Sequence, residues 1–114
     1  MQFHATYVTA GGVGDYFQAL FEAVRDGDGT PYLLLQRQFE DDDGGVCYIE
    51  THDPEYCGHF RLRQVAFSPT RLHVDLDRPR HNVLTVTFEL SEVKFGEAAR
   101  FVDLIRGAVV PEPK

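Results

Sequence analysis

Apolar and polar residues alternate along most of the chain, and the period changes once, near the end. Phe3, Ala5 and Tyr7 alternate with Gln2, His4, Thr6 and Val8. That period of two predicts a strand over residues 2–10. Gly11-Gly12-Val13-Gly14 is expected to end it in a turn. Residues 15–24 fit two templates. Phe17, Leu20, Phe21 and Val24 have helical spacing, whereas Phe17, Ala19, Phe21 and Ala23 share one face of a strand. The next segment, Arg25-Asp26-Gly27-Asp28-Gly29-Thr30-Pro31, holds two Asp-Gly pairs, the dipeptide of tight hairpin turns. It leads into Tyr32-Leu33-Leu34-Leu35-Gln36-Arg37, so residues 15–24 and 31–38 are predicted to pair as a hairpin.

Beyond the acidic run Glu40-Asp41-Asp42-Asp43-Gly44-Gly45, a strand is predicted over residues 46–51. It carries Val46, Tyr48 and Glu50 on one face and Cys47, Ile49 and Thr51 on the other. His52-Asp53-Pro54-Glu55 is read as a turn. Over residues 60–67 the phase slips: Phe60 and Leu62 share one face, Val65 and Phe67 the other. Such a slip predicts a β-bulge near Arg63-Gln64. Leu72, Val74 and Leu76 alternate with His73, Asp75 and Asp77. Leu84, Val86, Phe88 and Leu90 alternate with Thr85, Thr87 and Glu89. Then Phe95, Ala98, Phe101, Val102, Ile105 and Val109 recur at three- and four-residue spacing, a helical stripe. Ser91 suits its N-cap and Glu92 its first turn, while Gly107 and Pro111 mark its end. Strands followed by a helix predict an α+β fold. The expected form is an antiparallel sheet of about six or seven strands with one C-terminal helix packed on one face. Residues 1–110 read as a single domain and 111–114 as a flexible tail. The face away from the helix is expected to be partly polar, lined by His73, Asp75, Asp77, Thr85, Thr87 and Glu89.

The length of 114 residues fits one domain. No apolar run approaches the ~18 residues of a membrane span. No cationic or apolar leader follows Met1, so a cytoplasmic location is expected. Eighteen acids against 11 bases give a net charge of −7. That balance argues against nucleic acid and anionic membranes as partners, because phosphate contacts need clustered Lys and Arg. It suits a basic protein reached by electrostatic steering. Cys47 and Cys57 match no zinc spacing and read as two free thiols. The densest cluster of chemical groups is Glu50-Thr51-His52-Asp53 with Cys57 and His59 downstream. Its spacing matches no recognised ligand or nucleophile pattern, so it reads as turn polarity; no cofactor and no metal are expected. The chain has no Gly-x-Ser-x-Gly, phosphate-binding loop or His-Glu-x-x-His. Arg61, Arg63 and Arg71 are expected to form surface ion pairs with Asp75 and Asp77, with a small anion site as the alternative.

Tyr32-Leu33-Leu34-Leu35-Gln36-Arg37, with Gly45-Val46-Cys47-Tyr48-Ile49-Glu50 and Leu72-His73-Val74-Asp75-Leu76, resembles the immunity protein family numbered ten in bacterial polymorphic toxin systems. The resemblance covers about residues 3–108 and includes the order of the elements. Members of that family carry a Gly-Gly pair near a tyrosine after the Tyr-x-Glu strand. Here Tyr56-Cys57-Gly58-His59 keeps the tyrosine and one glycine. The resemblance implies a non-enzymatic protein that binds and neutralises a cognate toxin. If that toxin is a nuclease with a basic cleft, acids are the expected contacts. Charge and expected exposure select Glu40, Asp41, Asp42 and Asp43 in the acidic run, and Glu50, Asp53 and Glu55 near the Tyr-x-Glu strand. They also select Asp75 and Asp77 on the polar face, and Tyr56 as an aromatic anchor. The competing readings are an accessory interaction subunit and a small metal-dependent hydrolase using His52, Asp53, Cys57 and His59. The oligomeric state cannot be read from the sequence.

Overall fold

Period-two runs become strands because alternate side chains can then enter one core while the backbone groups pair sideways. The computed structural model describes residues 1–14, 16–24, 30–38 and 46–106, excepting the side chains of Val13, Gln38 and Arg106. The strands are β1 (Gln2–His4), β2 (Tyr7–Val13), β3 (Tyr16–Glu22), β4 (Tyr32–Gln38), β5 (Val46–Thr51), β6 (Gly58–Phe67), β7 (Arg71–Leu76) and β8 (Val83–Thr87). A helix, α1 (Glu92–Arg106), follows them. The strands form one sheet in the order β1-β8-β7-β6-β5-β4-β3-β2, and the fold is α+β. The acidic run at 40–43 and the residues from 107 onward lie outside the described residues.

The sheet has eight strands rather than six or seven because the first run divides. β1 pairs with β8 and β2 pairs with β3, at opposite ends of the strand order. The switch takes two residues. Ala5 N–H donates to Thr87 O at 2.8 Å, and Thr6 N–H donates to Glu22 O at 2.9 Å. Two residues span at most ~7 Å, so the two ends of the sheet must come together at this point and the sheet must curl. This route also makes β1 parallel to β8, the one departure from the expected antiparallel pattern among the described strands. The expected break at Gly11-Gly12 is corrected too. Both glycines sit within β2, opposite Gln18 and Phe17, and the turn falls at Gly14, whose φ of +57° suits glycine.

The predicted hairpin is present, with β3 and β4 antiparallel from Glu22↔Tyr32 to Tyr16↔Gln38. The predicted bulge is present between Leu62 and Gln64. β6 pairs with β5 through Gly58 to Arg61 and with β7 through Leu62 and, past the bulge, Gln64 to Phe67. The extra residue resets the phase, so Leu62 and Val65 both point inward.

One core fills the curl. Phe21 stacks on Phe88 with ring centroids 5.6 Å apart, and Phe67 meets Phe88 at 5.8 Å and Phe95 at 5.1 Å. Ser91 caps α1, its Oγ accepting from Lys94 N–H at 3.2 Å. Ala98, Val102 and Ile105 of the helical stripe are buried, and Phe101 packs on Phe17. At the other end, Arg37 Nη1 donates to Leu104 O at 3.2 Å, satisfying a carbonyl of the last turn. Phe17 and Arg37 share the inward face of β3 and β4 with Ala19, Phe21, Leu33 and Leu35. The helix therefore covers the inner side, and among the described residues no second layer lies over the outer side of β3–β6.

Candidate functional site

Alternation in β5 sends Cys47, Ile49 and Thr51 into the core and leaves Val46, Tyr48 and Glu50 half-buried on the outside. The same rule places Tyr32, Leu34 and Gln36 of β4 and Gln18, Leu20 and Glu22 of β3 on that outer face. Register then assembles two cross-strand rows. Leu20, Leu34 and Glu50 form one, and Gln18, Gln36, Tyr48 and His59 the next.

Glu50 is the centre of this face. Tyr32 O–H donates to its Oε2 at 3.0 Å and Tyr48 O–H donates to its Oε1 at 3.0 Å. Burial, then the hydrogen bond to Glu50 and the charge of that carboxylate, push the Tyr32 hydroxyl up to about 12. Tyr48 is raised as well, mainly by its own hydrogen bond to Glu50. Both phenols are thus held as donors at neutral pH and are poor bases or nucleophiles. The surroundings are aromatic and amide. The Tyr48 ring lies 5.2 Å from His59, and Gln36 Nε2 donates to Gln18 Oε1 at 3.0 Å. Tyr32 N–H lies 3.1 Å from His52 Nδ1, and the His52 ring meets Phe3 edge-on at 5.8 Å.

The other predicted contact residues fall elsewhere. Glu40, Asp41, Asp42 and Asp43 lie outside the described residues. Asp53 caps a single 3-10 turn, Pro54–Tyr56, its carboxylate accepting from Glu55 N–H at 3.0 Å. Glu55 is exposed, with its carboxylate 3.8 Å from His81 Nε2. The expectation that Tyr56 offers an exposed aromatic anchor is corrected. Its ring is 8% exposed and belongs to the core, and its hydroxyl lies 3.2 Å from the Met1 ammonium. The 3-10 turn folds the ring under, which a polar turn sequence does not announce. Asp75 accepts from Asn82 Nδ2 at 2.9 Å, and Asp77 pairs with Arg63 at 2.8 Å as expected for a surface ion pair. Asp53 and Glu55 belong to the 3-10 turn, and Asp75 and Asp77 lie at the end of β7, away from Glu50 and each with its own local partner.

The cluster His52, Asp53, Cys57 and His59 does not converge. The Cys57 thiol donates to Thr51 O at 3.3 Å and accepts from Thr51 N–H at 3.4 Å, stapling the turn. His52 faces Tyr32 and Phe3, and His59 faces Tyr48. Among the described residues no three His, Cys, Asp or Glu side chains group as a metal site. Cys47, buried, and Cys57, exposed, form no disulfide. A separate cleft of about 390 Å³ lies between β2 and the start of α1, lined by residues 6–9 and 89–91 and by Lys94. No helix among the described residues is long and apolar enough to cross a membrane.

Tyr48 and Tyr32 were not singled out as contacts from the sequence. The spacing Tyr48-x-Glu50 already put one phenol beside the carboxylate on a strand face. Tyr32 joins only through the pairing of β4 with β5, which periodicity does not encode. No family model, curated protein or solved structure matches the chain.

Proposed function

We propose that this chain is a non-enzymatic immunity protein, acting in the cytoplasm by binding a cognate toxin through the outer face of β3–β6. The observation that carries the reading is the Glu50 carboxylate held by two tyrosine hydroxyls on a sheet face that the helix leaves uncovered. Tyrosines that are half-buried and rigidly positioned are side chains that anchor protein interfaces through their rings. The two strand words behind the resemblance, Tyr-Leu-Leu-Leu-Gln-Arg and Tyr-Ile-Glu, supply Tyr32, Leu34, Gln36, Tyr48 and Glu50 to this one face. The net charge of −7 fits a basic partner such as the cleft of a nuclease.

The test is capture of the tagged chain from its host with the bound protein identified by mass. The expected result is one larger protein in a one-to-one complex, toxic when expressed alone and harmless when expressed with this chain. Recovery of the chain alone, or of a partner with no toxicity, favours the accessory-subunit reading.

A further inference from the structure

We propose that Glu50, held between Tyr32 and Tyr48, seats an arginine side chain of the partner protein. This deepens the binding reading above and rests on it. An ionised carboxylate offers about four lone-pair sites, and the two phenols use one on each oxygen. Each oxygen therefore keeps an acceptor site, and the phenols hold the group in one orientation. Among the described residues no Lys, Arg or His pairs with Glu50. Arg61, a base on the same face, stands opposite Val46. That is four residues along β5 from Glu50, or ~13 Å at the rise of a strand. The carboxylate is thus half-buried and, among the described residues, without a cationic partner.

The neighbours favour arginine among cations. Leu34 stands directly opposite Glu50 across the β4–β5 pair and offers apolar surface to an aliphatic stem. The rings of Tyr32 and Tyr48 flank the carboxylate, and a guanidinium stacks on such faces. Its two parallel N–H groups match two carboxylate oxygens, whereas a lysine ammonium is a point donor. A phosphate or carboxylate ligand is repelled by the same charge.

The test is an NMR titration of the isotope-labelled full chain with N-acetyl-arginine methylamide, and separately with the lysine equivalent. The arginine probe is expected to give saturable shifts confined to β4 and β5 around Tyr32, Leu34, Tyr48 and Glu50. The lysine probe should bind several-fold more weakly. Glu50→Gln should weaken arginine binding at least tenfold while the rest of the spectrum stays folded. Leu34→Arg should also block the probe, because the new side chain occupies the seat while Glu50 remains intact. Equal binding of both probes, shifts spread over all exposed acids, or undiminished binding by Glu50→Gln or Leu34→Arg would overturn the proposal. A toxin complex that survives Glu50→Gln unchanged removes the seat and leaves the immunity reading standing. A working arginine seat with no toxin partner does the reverse.

Discussion

The curled sheet has two outer faces, and they are built from opposite materials. On β1, β8 and β7 the outward positions, Val83 apart, are polar, and several of them bond to one another. His73 Nδ1 lies 3.1 Å from Thr85 Oγ1, His4 Nδ1 lies 2.9 Å from Thr87 Oγ1, and Asp75 accepts from Asn82. On β3–β6 the outward positions combine Leu20, Leu34, Tyr32 and Tyr48 with Gln18, Gln36 and a carboxylate held by two phenols. Both faces obey the same alternation and stand on the same core. The second region carries the outward leucines and tyrosines, and it is therefore the one assigned to the proposed partner.

Four experiments test that contrast. The largest effect is expected from an inward position beneath the proposed interface. Ile49 is fully buried next to Glu50, so Ile49→Ala should cost ~2–5 kcal/mol of folding stability in urea denaturation. A cost under ~1 kcal/mol would mean that β5 is not part of the core. Next, Tyr48→Ala should weaken the toxin complex by ~2 kcal/mol or more in calorimetry, as expected of an interface anchor. Its effect on folding should be smaller than that of Ile49→Ala.

The third experiment uses pH. The Tyr32 hydroxyl is raised in the folded state from 10.0 to about 12, so the folded chain keeps a proton that the unfolded chain has lost. The stabilisation from that proton is fully present below pH 10 and is lost as pH rises toward about 12. Tyr32→Phe should flatten this alkaline decline, measured as thermal midpoint against pH. An unchanged decline would mean that Tyr32 does not hold its proton on Glu50. The smallest effect is expected on the other face. His73→Ala should alter toxin affinity and folding by no more than ~0.5 kcal/mol each. A large loss of affinity there would reverse the contrast.

What the sequence made legible was local. The alternation of β5, the bulge in β6, the β3–β4 hairpin and the helix with its Ser91 cap all follow from spacing and turn chemistry within about a dozen residues. What it hid was pairing at a distance. Residues 2–10 have one period, yet they serve both ends of the sheet, because period states which face a side chain takes and not which neighbour the strand finds. The same gap concealed Tyr32 from Glu50, 18 residues away. Tyr56 shows that a turn rich in polar residues can still bury an aromatic ring when a 3-10 turn tucks it inward.

The proposed reading puts a toxin on the outer side of β3–β6. Hydroxyl-radical footprinting of the chain, free and in the captured complex, reads both faces at once. The account predicts that Tyr32 and Tyr48 lose reactivity in the complex while His4 and His73 keep theirs. Protection of His4 and His73 with Tyr32 and Tyr48 still reactive would contradict it.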